Sequence, residues 1–369
     1  MTDQFNKRVV VGMSGGVDSS VAAALLVEQG YDVIGITIKT HNYEDAGGVP
    51  HNPHSCCSLE GINDARAVCA RLGIPHYVVD FSGRFNREVI DRFTEEYLEG
   101  RTPNPCVLCN REIKWDALYT RAVSLGASYI AMGHYARVEK DPRTGRHFVR
   151  KGVDGEKDQS YALWNVKEEQ LAATLLPLGR LTKEEVRREA ERFGLLTAGK
   201  GESFEICFIP DDDYRRFLRE RVTGLTESVR GGEILFEGKR VGKHEGYPFY
   251  TIGQRRGLNI AVGEAVYVTE IRANDNVIVV GRAEDLMRRA CIAREVNWQK
   301  WPGLPEARRV QARIRYKDAG ANAVIEPLEG DRVRVVFDRP RRAITPGQSV
   351  VWYDGDDIVG GGIIDSVEK

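Results

Sequence analysis

GMSGGVDS, residues 12–19, stands between the β-branched run RVVV at 8–11 and the alanine- and leucine-rich run SVAAALLVEQG at 20–30. A β-branched run ending in glycine is a strand signal, and the second run is a helix signal that stops at Gly30. The residues between them form the loop of a βα unit. Glycines let backbone N–H groups turn toward a ligand, serine hydroxyls add donors, and a helix N-terminus favours negative charge. A phosphate suits such a loop.

Working outward, the same alternation continues to about residue 135. DVIGITIK at 32–39, a helix near GINDARAVCARLG at 61–73, PHYVVDF at 75–81, another helix and ASYIAMGH at 127–134 follow in turn. Strands alternating with helices at this spacing predict an α/β fold, a parallel sheet covered on both faces. Such sheets bind ligands at the carboxyl ends of their strands, where GMSGGVDS and MGHYAR at 132–137 both fall. From about residue 220 the style changes to short β-rich runs punctuated by glycine, at 231–258 and 265–281. RRVQARIRYKD, RVRVVFDRP and SVVWYDGDDIVGGGII then predict a small antiparallel barrel or sandwich. The expected division is residues 1–218, 219–286 and 287–369.

At 369 residues the chain is long enough for two or three cores. It has 53 basic and 54 acidic side chains, a net charge of -1, so any nucleic-acid binding must come from a local patch. No apolar run approaches the ~20 residues that span a bilayer, and the start MTDQFNKR lacks a signal-peptide profile, so a cytoplasmic location is expected. Seven cysteines, an odd number, argue against a disulfide framework and for thiol chemistry, metal ligation or buried packing.

In GRTPNPCVLCNREIKW at 100–115, two prolines flanking Asn104 stiffen a loop. A helix starting at Asn110 would place Cys109 beside its N-terminus, where a thiolate is stabilised. The spacing Cys106-x-x-Cys109 suits a redox pair, half a zinc site or cluster ligation, and equally a loop anchored by Val107 and Leu108. Cys207, in KGESFEICFIPDDDYRRFLRER at 200–221, lies in a short strand-like apolar run and taken alone is a buried cysteine.

S-G-G-x-D-S is neither a Walker A loop nor a dinucleotide fingerprint. It resembles the pyrophosphate loop of ATP-pyrophosphatases. With TPNPC-x-x-CN-x-EIK, MGHYAR, KDQSYAL at 157–163, S-x-x-ICFIP at 203–210 and YTIGQRRGL at 250–258, in that order, the chain resembles the bacterial tRNA 2-thiouridylases over nearly its whole length. These enzymes replace the C2 oxygen of the wobble uridine with sulfur. The resemblance implies a Rossmann-like pyrophosphatase domain with a parallel sheet, a small central β-rich domain and a C-terminal antiparallel β-barrel.

It also implies roles at matching positions. Gly12, Met13, Ser14, Gly15, Gly16, Val17, Asp18 and Ser19 would hold ATP, with Ile38 and Gly133 against the adenosine and Asp18 helping to hold Mg2+. Cys207 would bear a persulfide delivered by a cysteine desulfurase or sulfur-relay protein. Cys109 would be its nucleophilic partner, and the two would pass through a transient disulfide. Asn104, Pro105 and Cys106 would meet the target base, with Lys157, Asp158 and Gln159 nearby and His134 beside the nucleotide. Arg315, Tyr316 and Gln348 match RNA-contacting positions, and the expected tRNAs are those for glutamate, glutamine and lysine. Well-studied members carry aspartate where this chain has Cys106. With Cys106, Cys109 and Cys207 the chain offers three thiolates, a set suited to a [4Fe-4S] cluster with one iron open.

HNYEDAGGVPHNPHSCCSLEG at 41–61 gathers His51, His54, Cys56 and Cys57 but matches no regular zinc module, and reads better as a loop near the active site. Cys69 and Cys291 read as structural. Other pyrophosphate-loop enzymes are the alternatives. A glutamine-using synthetase would need an amidotransferase domain that the β-rich C-terminal third does not offer, and a thiolase acting on another base fits better. An RNA-binding adaptor with a vestigial nucleotide fold would predict a damaged loop, and Ser14, Gly15, Gly16, Asp18 and Ser19 are intact.

Overall fold

The computed structural model describes residues 7–40, 59–201 and 206–368. Five strands form the first sheet: β1 (Arg8–Gly12), β2 (Asp32–Lys39), β3 (His76–Asp80), β4 (Tyr129–Ala131) and β7 (Thr174–Leu175). Their order is β3-β2-β1-β4-β7 and every pairing is parallel. Val9, Val10 and Val11 are fully buried, as a strand covered on both faces requires. The chain order reverses between β1 and β4, so the crevice beyond these two strands is the position where doubly wound sheets bind ligands.

Helix Val17–Glu28 packs with helices Leu59–Leu72 and Lys183–Arg192 through Val21, Val68, Val186 and their neighbours. On another core, Trp115 and Leu118 from the helical run 105–124 lie with Val10 and Ile130. The middle of that run, Cys109–Ala117, has π-helical winding, a widening common at functional sites.

A hairpin of β5 (Ala136–Lys140) and β6 (His147–Lys151) leaves the first domain and joins the C-terminal one. The central domain holds β8 (Glu233–Phe236), β9 (Lys239–Lys243), β10 (Tyr267–Arg272) and β11 (Val277–Gly281) in the order β10-β11-β8-β9. Its two hairpins are antiparallel, but β11 and β8 run parallel. The last six strands are β12 (Met287–Trp298), β13 (Arg308–Arg313), β14 (Ala321–Leu328), β15 (Arg332–Arg342), β16 (Ser349–Asp354) and β17 (Asp357–Glu368). They follow the order β12-β15-β14-β13-β16-β17, and β12 also pairs with β17, closing an antiparallel barrel around Phe337, Val335, Trp352 and Ile364.

The barrel is fastened to the first domain. Gln299 is fully buried; its Oε1 accepts from Val149 N–H at 3.1 Å, and its Nε2 donates to the carbonyls of Leu163, Trp164 and Val166. Asp357 takes Arg150 from β6 and Lys300 at 2.7 Å. Helix Tyr214–Arg221 runs across residues 218 and 219, with Phe217 and Leu218 in the core shared by the first and central domains. No break in the fold coincides with the expected boundary there.

Candidate active site

β1 delivers the phosphate loop to the crevice already wound. Ser14 N–H donates to Ser19 Oγ at 3.2 Å, the two hydroxyls lie 3.1 Å apart, and Ser20 Oγ donates to Gly16 carbonyl at 2.8 Å. Gly15 has φ +75° and backbone of Gly61 against it, so a side chain there would be both strained and blocked. Gly133, after β4, lets that strand end approach the loop: a Cβ would sit 2.7 Å from Ser19 N. The loop is preorganised by its own hydroxyls.

The crevice is a cavity of about 310 Å3. Gly12, Met13, Ser14, Asp18 and Ser19 wall one side, with Ile38 and Gly133 beside them, and Pro105, Cys106, Cys109 and Cys207 wall another. Gly15, Gly16 and Val17 are not among its walls, and Val17 is a core residue at 3% exposure, so any contact it makes with a nucleotide is through backbone. Ile38 does double service, bordering the cavity and packing on two cores.

The helix bearing the two close cysteines begins earlier than the sequence suggests. Asn104 occupies the N-cap position, Pro105 follows it, and Cys109 lies a turn inside. Pro105, with its fixed φ and missing N–H, is suited to that first position. Cys106 therefore takes the first-turn position expected for Cys109. Cys106 is exposed, Cys109 is buried and Cys207 is intermediate.

Cys207 sits in a turn rather than a strand, closed by Ile209 N–H donating to Ile206 carbonyl at 2.9 Å. Phe208 anchors it, with its ring 5.7, 5.3 and 5.4 Å from those of Phe85, Phe93 and Phe217. Burial of Phe208 and Ile209 overrides the strand pattern and holds Cys207 at the cavity edge.

Two charged groups that sequence reading passed over border or engage this site. Lys114 lines the cavity. Lys183 donates to both oxygens of Asp18 at 2.8 and 2.9 Å, and Tyr135 Oη donates to one of them at 2.7 Å. Lys183 was hidden because it stands in a charged, surface-like helix 165 residues from Asp18; only the capping box beginning at Thr182 marked the helix start. His134 borders the cavity with Nδ1 buried and unpartnered, and its ring lies 5.3 Å from Trp115. Burial, reinforced by Lys114, holds this imidazole well below its ordinary value of 6.5.

The residues expected to meet RNA are spread apart. Gln159 borders the cavity and accepts from Tyr135 N–H at 2.9 Å. Asp158 faces inward at 8% exposure: it accepts from the Gly152 and Ser160 N–H groups, from Ser160 Oγ and from Arg313. That carboxylate ties the loop to the barrel. Lys157 is half-buried, and Arg315 and Tyr316 are exposed in the β13–β14 connection, with Tyr316 edge-on to Tyr161 at 6.3 Å. Asn104 borders a separate small crevice with Pro103, Val107 and Leu108. Gln348 Nε2 donates to the carbonyls of Thr102 and Pro103 at 2.9 and 3.3 Å, bracing the cysteine loop from the barrel.

For a [4Fe-4S] cluster the described residues hold no ready-gathered ligand group, although Cys106, Cys109 and Cys207 border the same cavity. Among the described residues, which include Cys106, Cys109 and Cys207, no three His, Cys, Asp or Glu side chains gather as metal ligands. Mg2+ is different, since it is held by one or two carboxylates together with the phosphates it accompanies. Asp18 is the one carboxylate among the described residues that line the cavity. His51, His54, Cys56 and Cys57 lie outside the described residues. Cys69 and Cys291 are fully buried, as structural cysteines should be.

Three family signatures tile the chain: the tRNA methyl transferase HUP domain at residues 7–211, the tRNA methyl transferase PRC-barrel domain at 216–282 and the aminomethyltransferase beta-barrel domain at 288–364. The chain is 53% identical over 362 residues to the tRNA-specific 2-thiouridylase MnmA of Salinibacter ruber, covering 98% of this chain and 94% of that one. It is 52% identical over 363 residues to the protein of the same name from Amoebophilus asiaticus, covering 97% and 95%. Among solved structures, a 4-thiouridine synthetase in complex with RNA and bound ATP aligns at 17% identity with a TM-score of 0.37, over 59% of this chain and 50% of that one.

Proposed function

Because this chain belongs to the tRNA-specific 2-thiouridylase family, we propose that its cavity carries out ATP-dependent thiolation of a tRNA wobble uridine through a persulfide on Cys207. The chain is a tRNA sulfurtransferase that forms 2-thiouridine. The finer mechanism rests on one observation: the phosphate loop and both Cys109 and Cys207 wall the same cavity.

The uridine C2 oxygen attacks the α-phosphate of magnesium-ATP, and pyrophosphate leaves. Loop N–H groups and the hydroxyls of Ser14 and Ser19 hold the phosphates, while Lys183 and Lys114 offset their charge. Adenylation makes the C2 oxygen part of AMP, a good leaving group. The terminal sulfur of the Cys207 persulfide adds at C2 and AMP departs. The Cys109 thiolate then attacks the Cys207 sulfur, which frees the thiocarbonyl and leaves a Cys109–Cys207 disulfide. If Cys109 attacks first, hydrosulfide is released to add at C2, and the products are the same.

A cysteine desulfurase or sulfur-relay protein supplies the persulfide, and the tRNAs for glutamate, glutamine and lysine are the substrates. The target uridine leaves its stack to reach the cavity. The protein side of that contact is Pro105, Cys106 and Gln159 at the cavity, with Lys157, Arg315 and Tyr316 outside it. Reaction takes place in the cytoplasm; no described helix is long and apolar enough to cross a membrane.

The test is an anaerobic reaction with unmodified glutamate tRNA, magnesium-ATP and a persulfide donor, followed by digestion and mass spectrometry of the nucleosides. ATP-dependent 2-thiouridine that vanishes in Cys109→Ala and Cys207→Ala supports the scheme. Thiolation that survives either substitution overturns it.

A further inference from the structure

Cys106 and Cys109 share one turn of helix: the Cys109 N–H bonds back to the Cys106 carbonyl. Ideal helix geometry puts residues three apart at roughly 5 Å between Cα atoms, within the span a disulfide bridges. The two thiols differ in access, Cys106 being exposed and Cys109 buried, with Cys207 between these extremes. All three border one cavity, yet no three ligands converge there among the described residues. The order of exposure, Cys106 most and Cys109 least, suits passing a disulfide outward. Position in the first turn of the helical run 105–124 also favours the Cys106 thiolate.

We propose that Cys106 is a resolving thiol, which moves the disulfide left by sulfur transfer from the buried pair to the surface. The inference rests on the persulfide scheme above. Sulfur transfer leaves Cys109 bonded to Cys207, where Cys109 is shielded from reductants. Cys106 gives its proton to solvent and its thiolate attacks the Cys109 sulfur. The Cys109–Cys207 bond breaks and its electron pair departs on the Cys207 thiolate, so one disulfide replaces another with no net oxidation. A thiol or dithiol reductant from solution then attacks the exposed Cys106 sulfur. Two reductant thiols leave as their own disulfide, delivering two electrons and two protons to Cys106 and Cys109. Cys207 is by then ready for another sulfur.

Trypsin separates the alternatives, because Cys106 and Cys109 share the peptide of residues 102–111 while Cys207 lies in 201–215. The full-length protein is charged with a persulfide donor, taken through one round on tRNA without reductant, blocked with iodoacetamide and mapped by mass spectrometry. In wild type the expected disulfide lies within 102–111; in Cys106→Ser, counted per 2-thiouridine formed in the same sample, it is trapped as a link between 102–111 and 201–215. Reduction of the trapped link by glutathione should be about tenfold slower than reduction of the wild-type disulfide, since exchange rates follow access. A wild-type map holding only the 102–111 to 201–215 link, reduced as fast as in Cys106→Ser, overturns the inference and leaves the scheme intact. A Cys207→Ser protein oxidised with diamide gives a second check independent of sulfur transfer. It should form the internal disulfide, and its failure to do so also overturns the inference. If Cys106→Ser thiolates tRNA with no disulfide in either peptide, the persulfide scheme itself fails and the inference with it.

Discussion

Lys183 Nζ bonds both carboxylate oxygens of Asp18, at 2.8 and 2.9 Å. The contact carries the acid of the phosphate loop to the start of a distant helix, whose first turn is fixed by the reciprocal bonds of Thr182 and Glu185. In the proposed mechanism, an ammonium held at that point would offset the charge of a triphosphate in the loop. Lys183→Ala should lower kcat/KM for ATP by about a hundredfold, the scale of losing one charged donor at a reacting phosphate. Its KM for tRNA should move little. Steady-state kinetics with ATP varied at saturating tRNA make the check, and an unchanged ATP dependence would remove Lys183 from the nucleotide site.

The thiols should sort by reactivity in the native protein. Burial pushes Cys69 up to about 11 and Cys291 up to about 12, so neither presents thiolate at pH 8. Iodoacetamide should modify exposed Cys106 first and Cys109 more slowly, reaching Cys69 and Cys291 only after unfolding. Timed peptide mapping with and without urea reads this order. Native labelling of Cys291 as fast as Cys106 would contradict its place inside the barrel.

Much of this site was legible because it follows local chemistry. RVVV followed by GMSGGVDS specifies a strand, a tight glycine turn and a helix from adjacent residues alone, and all three are present at Arg8–Gly12, the loop and Val17–Glu28. The switch between β1 and β4 follows from the order of parallel strands. What sequence could not display were relations set by tertiary burial. Asp158 reads as a polar loop residue until Arg313 and Ser160 are seen around it. Ile206 to Pro210 has strand composition but is a turn, because Phe208 plugs an aromatic core. The hairpin β5–β6 belongs to one domain by sequence and to the other's sheet by pairing, through Arg150 and Asp357. Lys183 carries no local mark of its partner.

Stability should fall on mild acidification. Burial lowers His134, with Lys114 adding to the effect, and burial also lowers His76 and His244 from the ordinary 6.5. The unfolded chain takes up protons near that value which the folded chain refuses. Stability is therefore full above about pH 6.5 and declines as pH drops below it, by up to about 1.4 kcal/mol per pH unit for each such group. Urea midpoints for wild type and His134→Gln between pH 7.5 and 5.5 provide the measurement. The variant should show the shallower decline, and parallel slopes would mean that His134 protonates equally well in both states.

Gln348 should act on the cysteine loop even without RNA. Its amide donates to the carbonyls of Thr102 and Pro103, Thr102 N–H donates to Pro346 carbonyl at 2.9 Å, and Gly347 packs so closely on Thr102 that a Cβ would lie 2.8 Å from its carbonyl oxygen. The barrel thus grips the loop just ahead of the helix bearing Cys106 and Cys109. Gln348→Ala removes donors worth about 1 kcal/mol each, and Gln348→Glu turns an acceptor toward those carbonyls and should be worse. Both should lower kcat, with Gln348→Ala reduced by about tenfold. A residue serving only as an RNA contact would raise the Kd for tRNA and leave the tRNA-free protein untouched. A brace changes Cys109 before any RNA arrives. The alkylation rate of Cys109 in tRNA-free Gln348→Ala should therefore rise several-fold over wild type, and a rate equal to wild type with weakened tRNA binding would assign Gln348 to the RNA alone.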